Sequence, residues 1–350
     1  MDRLLLGILF SFILTMVFLP MLIKFANTNQ LFVPITYRRI HNTKVSAFGG
    51  LAIFISSSIS FMLFSDIINY PDYRMVISSA FLLFILGLRD DILEISPLYK
   101  FIGQLIAVII IVVFAKVRIV FLQNHIDGQL GQYLDIIASI FIVLGIINAY
   151  NMIDGIDMLA ASIGIVILSF LGIWFFIVNQ FDYSLALLSL GSALFAFLIY
   201  NRTPAKIFMG DTGTMTIALI MSVSILNFDK INSIIESSWR FNNAPAIEFT
   251  LISFIVFDMT RVVLLRIIHH KSPVKGDKTH IHHVLNNIGW SPNRISLTIV
   301  LLILFQLAVV SLLDNYFTTI GLLIVDIIIL LLFYAIIFWI LLPKQRTESK

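Results

Sequence analysis

Four polar side chains recur at three-residue spacing between two apolar segments of the chain. They are Asn148, Asn151, Asp154 and Asp157, in the stretch NAYNMIDGIDML. At this spacing they can lie along one helical face, although Gly155 is expected to break the helix. Carboxylate and amide oxygens are ligands that Mg²⁺ accepts. A polar turn is the simpler interpretation, but it does not explain amides that begin inside an apolar run, where unpaired polar groups are costly.

Two adjacent carboxylates, Asp90 and Asp91, lie in the earlier stretch GLRDDILEISPLYKFIGQ. Lys100 and Gln104 follow four residues apart, so they share a face at the start of the next apolar segment. A charged loop at the membrane edge, with a helix beginning at Pro97, also explains this pattern. A pair of aspartates alone therefore does not define a site.

A third polar segment, NRTPAKIFMGDTGTM, places Asp211 between Gly210 and Gly213, directly before an apolar run. Glycine lets a backbone approach a ligand closely, and amides at the start of a helix can receive an anion. The alternative is a glycine-rich turn in which Asp211 is the N-cap residue. This segment alone does not distinguish the two.

The fourth polar segment, RIIHHKSPVKGDKTHIHHVL, holds five of the seven histidines of the chain. An amphipathic surface loop, a zinc site and a cationic cradle for phosphate are three interpretations. Only Asp277 could join the histidines in a zinc site, which weakens that interpretation. The residues of this segment that are candidates for binding a phosphate group are Arg266, His280, His282 and His283.

Together the four segments combine carboxylates and amides suited to Mg²⁺ with lysine, arginine and histidine suited to phosphates. This combination is typical of chemistry on a nucleoside diphosphate. The sequence has no GxxxxGK[ST] loop, so nucleotide hydrolysis by the P-loop design is not expected.

The composition indicates an integral membrane protein. The 350 residues are 59% hydrophobic and 12% charged, and the mean hydropathy is +0.99, which leaves too few charges for a soluble exterior. The absence of cysteine excludes disulfides and thiolate zinc sites. The apolar run that begins at Leu4 has no small-residue cleavage site, so we expect a retained first span rather than a removed signal peptide.

We predict an all-α, polytopic fold with about eleven transmembrane helices, since a span needs about 20 apolar residues. The count could differ by one helix, because the segment 184–199 is short for a membrane span. We expect a single transmembrane catalytic domain, 1–343, and a cytoplasmic tail, 344–350. The predicted spans lie near 3–25, 47–67, 74–90, 99–116, 133–151, 157–178, 184–199, 213–228, 246–266, 294–313 and 317–341.

The basic residues predict the orientation. When alternate connections are assigned to opposite sides, 17 of the 23 lysines and arginines fall on one side. That side is predicted to be the cytoplasm, with the N-terminus outside and the C-terminus inside. All four polar segments then lie on the cytoplasmic face of the inner (cytoplasmic) membrane. The net charge of +3 is a topology signal, and no nucleic-acid partner is expected.

The motifs, taken in order, resemble those of the polyprenyl-phosphate N-acetylhexosamine-1-phosphate transferases, glycosyltransferase family 4. The resemblance spans most of the chain, and the four motifs that follow the first cytoplasmic loop, in the right order, are highly specific. The family's eleven-span arrangement with the N-terminus outside agrees with the predicted topology. The matching stretches are YRRIHNTKVSAFGG, DDILEISPLYKFIGQ, NAYNMIDGIDML, PAKIFMGDTGT and DMTRVVLLRIIHHKSPVKGDKTHIHHVL.

Some positions depart from the family pattern. Met158 stands where glycine is usual, so the backbone there is expected to differ, and Thr214 replaces a serine but keeps the hydroxyl. Ser46 and Ala47 stand where a proline-containing stretch is common. None of these changes removes a carboxylate.

The resemblance implies a reaction. The enzyme would transfer N-acetylhexosamine 1-phosphate from a UDP-sugar to undecaprenyl phosphate and release UMP, and GlcNAc 1-phosphate is the favoured group. This would be the first membrane step in the synthesis of a cell-envelope polysaccharide. The spacing HIHH resembles the GlcNAc 1-phosphate branch, because the peptidoglycan branch carries three consecutive histidines. Transfer of phospho-MurNAc-pentapeptide remains the alternative. A homodimer is the assembly considered for this protein, and the sequence does not decide its oligomeric state.

The resemblance also implies roles for the polar segments. The metal would be Mg²⁺, with Mn²⁺ as an alternative, held by Asp211 with Asn151 beside it. Asp90 or Asp91 would orient or deprotonate the lipid phosphate, which is already mostly dianionic at pH 7. Lys100 would pair with a phosphate. A covalent aspartyl route also stays open.

The remaining candidates divide into two groups. The implied catalytic residues are Asp90, Asp91, Lys100, Asp154 and Asp157. The implied substrate-binding residues, for the uridine, diphosphate and sugar, are Asn148, Arg266, His280, His282 and His283.

A secondary transporter is the main alternative from another class, and a non-catalytic scaffold is a second. Transporters usually place coupling residues near the bilayer midplane in related repeats, whereas here the polar segments share one predicted face. Asp258 and Arg261, three residues apart, are expected to form a structural ion pair. Asp326, in the last predicted span, has no obvious partner.

Overall fold

The protein is helical throughout the residues that the structure describes. This computed structural model describes residues 2–32, 45–66, 71–120, 126, 129–270 and 279–341. The helices are α1 (Asp2–Thr28), α2 (Gly49–Phe64), α3 (Pro71–Ile92), α4 (Pro97–Ile109, continued by a π-helical turn, Ile110–Phe114), α5 (Gln129–Ile153), α6 (Leu159–Ile177), α7 (Phe181–Asn201), α8 (Gly210–Ile234), α9 (Ala244–Ile268), α10 (Ile281–Asn287), α11 (Pro292–Leu313) and α12 (Thr319–Ala335, continued by a π-helical turn, Ile336–Leu341). The all-α prediction is confirmed for this part of the chain. Three predictions concern residues outside the described part of the chain. They are the first eight residues of the stretch YRRIHNTKVSAFGG (37–44), Asp277 and the tail 344–350.

Within the described residues each of the eleven predicted spans overlaps one helix, and α10 is a further short helix. In the same part of the chain eight helices are long and apolar enough to cross a membrane by length and composition, and α2 is a shorter apolar helix. The prediction of a polytopic membrane protein is therefore confirmed, whereas the count of eleven stays a prediction. The segment expected to be short, 184–199, is the longer helix α7, with 21 residues.

Helix α8 is the central helix. Its most apolar 18-residue window is 83% buried, compared with 22% for α1, and it packs against α2, α3, α5, α6 and α9. An apolar helix that is covered on all sides belongs to a core. The first turn of α8 carries Asp211, so this side chain is held on the most enclosed element of the fold.

The start of α8 is fixed by close backbone contacts with the chain that leads into α2. Phe208 N donates to Ser46 O (2.8 Å), and Gly50 N donates to Met209 O (2.8 Å). Gly210 has a φ of +72°, and a Cβ there would lie 2.4 Å from Ala47 O. Glycine is required at this position both for the left-handed backbone and for the lack of space.

The connection between α5 and α6 is a tight turn. Tyr150 Oη donates to Ala160 O (2.7 Å) across it, and Met158 N donates to Asn201 Oδ1 (2.7 Å). Met158, at the usual glycine position, has a φ of +70°, which is the left-handed conformation that glycine adopts most readily. The backbone therefore has a glycine-like geometry at a residue that is not glycine.

Asp326 has a partner that the sequence did not reveal. It is fully buried in α12, and its Oδ1 accepts a hydrogen bond from Gln306 Nε2 of α11 at 2.8 Å. The same amide donates to Ser253 Oγ of α9 at 3.2 Å. A polar cluster thus joins three helices in the apolar interior, where such groups need partners.

Candidate active site

A lysine between two carboxylates forms the centre of the candidate site. Lys100 Nζ, in the first turn of α4, lies 3.1 Å from Asp90 Oδ2 in the last turn of α3. The same ammonium contacts Asp211 Oδ2 at the start of α8. All three side chains are between 15% and 24% exposed, so the cluster is enclosed but reachable. Three helix ends, separated by up to 121 residues in sequence, converge here.

The two asparagines of α5 face this cluster. Asn151 Nδ2 donates to Asp211 Oδ1 (2.8 Å) and to Thr214 Oγ1 (2.7 Å). Asn148 Nδ2 donates to Gln104 Oε1 at 3.2 Å, so it lies beside the face of α4 that carries Lys100. The spacing in the sequence therefore corresponds to one face of α5, and the helix ends at Ile153 as expected from Gly155.

Asp91 has a different environment from Asp90. Its carboxylate accepts hydrogen bonds from Asp211 N (2.8 Å), Thr212 N (2.9 Å) and Thr212 Oγ1 (2.5 Å). These amides belong to the first turn of α8, where no intrahelical acceptor exists. The alternative in which Asp211 itself is the N-cap residue is wrong, because the N-cap position is Met209 and a carboxylate from α3 supplies the acceptor.

Replacing Asp91 by alanine is expected to destabilise the protein, because it leaves two amides and a hydroxyl without their acceptor. The expected loss is about 1–3 kcal/mol of unfolding free energy, measured as a lower thermal midpoint in detergent. Thr212→Val removes the hydroxyl contact alone and should cost about 1 kcal/mol. An Asp91→Ala protein with wild-type stability would contradict the capping role.

The two aspartates of the α5–α6 turn diverge. Asp157 is buried, and its Oδ2 accepts from Ala205 N at 3.1 Å. Ser296 Oγ of α11 donates to the Asp157 carbonyl at 3.3 Å. Asp154 is half-buried in the same turn. Asp157 thus fixes the loop before α8, and the catalytic roles inferred for both residues stay predictions.

The histidine segment is attached to α9 through Asp258. His280 Nδ1 lies 2.8 Å from Asp258 Oδ2, and Arg261 donates to Asp258 Oδ1 at 2.8 Å. Arg261 also donates to Thr279 O at 2.7 Å. The predicted ion pair between Asp258 and Arg261 is confirmed, and its larger role is to hold the chain that enters α10.

His282 connects the histidine segment to the α5–α6 turn. Its ring is 1% exposed, and a Cβ on Gly155 would lie 2.5 Å from its Nε2. Neither ring nitrogen has a hydrogen-bond partner within the described residues. His283 and Arg266 are buried as well. The stretch NAYNMIDGIDML and the histidine segment are therefore in direct contact.

Comparison with known proteins identifies the family of the chain. The chain is 33% identical over 307 residues to the probable undecaprenyl-phosphate N-acetylglucosaminyl 1-phosphate transferase of Bacillus subtilis (strain 168), which covers 86% of this chain and 81% of the relative. Residues 73–229 match the model of glycosyl transferase family 4. The chain belongs to glycosyl transferase family 4.

Two further family members extend the comparison. The phospho-N-acetylmuramoyl-pentapeptide-transferase of Listeria innocua is 31% identical over 278 residues, covering 71% of this chain and 78% of the relative. The decaprenyl-phosphate N-acetylglucosaminephosphotransferase of Mycolicibacterium smegmatis is 30% identical over 291 residues, covering 75% and 70% respectively. The resemblance seen in the motifs is thus confirmed over most of the chain.

For this family 4 protein the zinc interpretation of the histidines gains no support. Among the described residues, no group of three or more histidine, aspartate or glutamate side chains could hold a metal ion. His280 uses one ring nitrogen on Asp258, and Asp277 lies outside the described residues. A site for a metal that keeps waters and phosphate ligands needs fewer protein groups.

Burial, together with the neighbouring His283, lowers the pKa of His282 to about 3. The ring is therefore neutral at pH 7. A histidine whose pKa is lower in the folded state than in the unfolded chain, about 6.5, favours folding above that value and loses this contribution as the pH falls from about 6.5 towards 3.

We expect the thermal midpoint to fall more steeply between pH 7 and pH 4.5 for the wild-type protein than for His282→Gln, which has no proton to gain. Thermal unfolding across this pH range in detergent measures the difference. Parallel curves for the two proteins would show that His282 does not resist protonation.

Several contacts of the site were not predicted from the sequence. Thr212, Asp258 and Tyr334 contribute hydrogen bonds to it. The hydroxyl next to Asp211 and the i,i+3 pair at Asp258 were visible signals. Nothing in the sequence pointed to Tyr334, because its partner lies 76 residues away.

Proposed function

We propose that the protein transfers N-acetylglucosamine 1-phosphate from UDP-GlcNAc to undecaprenyl phosphate and releases UMP. The observation that carries the proposal is the meeting of Asp211 with Lys100 and Asn151 at the ends of α8, α4 and α5. Carboxylate, amide and ammonium groups together suit a diphosphate and its counter-ion. The names of the relatives support the two substrates.

The proposed metal is Mg²⁺, held by Asp211 and Asn151. The fit rests on the chemistry of the two neighbouring side chains, a carboxylate and an amide that can each offer oxygen, and on the cationic and N–H groups that the Asp211 carboxylate already attracts. Mg²⁺ is commonly bound through one or two carboxylates together with substrate phosphates and water. When bound, it would neutralise charge developing on the departing UMP.

The lipid phosphate is proposed to be received by Lys100 with Asp90 beside it. An oxygen of that phosphate attacks the sugar-bearing phosphorus of UDP-GlcNAc. The bond from this phosphorus to the bridging oxygen breaks, and UMP leaves with that oxygen. The contacts favour Asp90 over Asp91 for orienting the lipid phosphate, because Asp91 is engaged by backbone amides.

The histidine segment is proposed to hold the diphosphate or sugar of the donor. A buried, neutral His282, whose two ring nitrogens have no partner among the residues that the structure describes, can donate one hydrogen bond and accept another. Arg266 would add charge for the diphosphate. Asn148, Asp154 and Asp157 are proposed to order the region that receives the uridine.

The proposed topology has eleven spans, with the N-terminus outside and the site on the cytoplasmic face of the inner membrane. A cysteine placed at Asn287, which is exposed on α10 in a cysteine-free chain, should react with an impermeant thiol reagent only in opened cells. One placed at Ser237 should react in intact cells. The reverse pattern would contradict the orientation.

The test of the function is UMP release from UDP-GlcNAc, which should require both undecaprenyl phosphate and Mg²⁺. One pyrophosphate linkage replaces another, so the equilibrium constant should lie within a few powers of ten of unity, at about 1.4 kcal/mol per tenfold. Labelled UMP should therefore enter UDP-GlcNAc when lipid-linked GlcNAc is supplied. Forward transfer without any UMP-dependent return would refute a simple exchange, and a transporter or scaffold would release no UMP.

UDP-MurNAc-pentapeptide is the second candidate donor, because a relative is named a phospho-N-acetylmuramoyl-pentapeptide-transferase. The HIHH spacing favours UDP-GlcNAc. The same assay with both donors separates them: the proposal predicts UMP release from UDP-GlcNAc and little from the pentapeptide donor.

A further inference from the structure

We propose that Tyr334, near the end of α12, is a positioning residue for the donor site. Through Asp258 it fixes His280 and the start of α10, and so holds His282 against the α5–α6 turn. This inference rests on the proposed function, because it assigns the histidine segment to the donor. Tyr334 lies outside the segment that matches the family model, which ends at residue 229.

The anchor consists of a single buried carboxylate with donors from three elements. Asp258 is 1% exposed. Tyr334 Oη donates to its Oδ1 at 2.9 Å, Arg261 donates to the same oxygen at 2.8 Å, and Ile281 N donates at 3.2 Å. Ile281 is the first residue of α10. The carboxylate therefore joins α9, α10 and α12 at one point.

These contacts also determine which atom of His280 is the donor in its hydrogen bond with Asp258. An ionised carboxylate only accepts hydrogen bonds, and Asp258 is surrounded by donors. Nδ1 of His280, 2.8 Å from Asp258 Oδ2, must therefore carry a hydrogen and donate it to the carboxylate. Tyr334 contributes to this arrangement by holding the carboxylate in place.

The His280 ring packs against the His282 ring, so the position of His280 affects the position of His282. The His280 and His282 rings are nearly parallel, with centroids 5.7 Å apart, and His282 packs on His283 at 4.3 Å. His282 in turn abuts Gly155, next to Asp154. A displacement of the anchor would therefore change the distance between the histidines and the turn.

The contribution of the Tyr334 hydroxyl can be tested separately from that of the ring. The ring lies 5.4 Å from the Arg261 guanidinium and packs against Phe257 and Phe338. Tyr334→Phe keeps these ring contacts and removes the hydroxyl, which donates to Asp258 and also interacts with the Arg261 side chain. Any effect of this variant is therefore an effect of the hydroxyl at this anchor.

We expect Tyr334→Phe to raise the KM for UDP-GlcNAc by roughly threefold to tenfold, with kcat changed less than about twofold and the KM for undecaprenyl phosphate unchanged. His280→Ala should have a larger effect, and adding Tyr334→Phe to it should change little more, because both act through one anchor. The matched control is Asp326→Asn, a buried polar change eight residues earlier on the same helix, which should leave the KM for UDP-GlcNAc unchanged.

A second readout does not depend on turnover. A spin label on a single cysteine at Asn287, at the end of α10, should become more mobile in Tyr334→Phe and stay unchanged in Asp326→Asn. An unchanged label and an unchanged KM in Tyr334→Phe would overturn the proposal, as would equal effects from the control. If the wild-type protein released no UMP but the label still responded, the proposed function would fail and the positioning role of Tyr334 would stand.

Discussion

Replacement of Asp211 by asparagine is expected to abolish transfer, lowering UMP release by about a thousandfold or more. The carboxylate is the group that Asn151 and Lys100 share, and asparagine removes its charge while keeping its shape. The pair with Lys100 is largely enclosed, but Lys100 keeps Asp90 and asparagine can still accept a hydrogen bond, so the loss of stability should be about 1–3 kcal/mol. UMP release and thermal unfolding, measured on the same preparation, check both expectations.

Asp229→Asn is the matched control for this experiment. Asp229 lies on the same helix, α8, near its other end, and is also partly buried. It should leave the rate of UMP release within about twofold of wild type, since it lies away from the reacting groups. Near-normal turnover of Asp211→Asn in Mg²⁺ would exclude Asp211 as the metal ligand.

The helices were predictable because the signal that defines them is local. An apolar run of about 20 residues is long enough to cross a bilayer, and neighbouring turns satisfy its backbone. The end of α5 was predictable for the same reason, since Gly155 follows a periodic polar face directly. The start of α8 was less predictable, because the span was expected from 213 and the helix begins three residues earlier, at Gly210.

The partners of the polar groups were less predictable, because they depend on how the helices pack. Asp91 looked equivalent to Asp90 in sequence, yet it binds amides that lie 120 and 121 residues later. Asp326 had no visible partner because Gln306 is on another helix. In an apolar interior each buried polar group must find a partner, but the sequence does not specify which one.

The site therefore depends on packing between helix ends that are distant in sequence. The carboxylate–lysine cluster is held by α3, α4 and α8, whereas the histidines are held by α9 and α12. The two halves meet at Gly155, where a hydrogen in place of a side chain lets His282 approach the turn. This contact limits how closely the histidines approach the turn that carries Asp154.

Replacement of Gly155 by alanine is expected to lower UMP release about a hundredfold, because displacement of a positioning group by about 1 Å can cost that much. The added Cβ would lie 2.5 Å from His282 Nε2. Gly155 is not among the glycines with a left-handed φ, so the collision is the change that alanine introduces. The measurement is the initial rate of UMP release with both substrates saturating.

Gly145→Ala is the control, because it lies on α5 and a Cβ there meets nothing within 4 Å. Alanine inside a helix should stabilise the protein by about 0.5–1 kcal/mol and leave turnover unchanged. Combining Gly155→Ala with His282→Ala removes the collision. If His282 acts on the donor, the double variant should regain stability but not activity, since the ring is then missing. Full recovery of turnover in the double variant would instead show that His282 has no part in the reaction and that Gly155 is needed only for space.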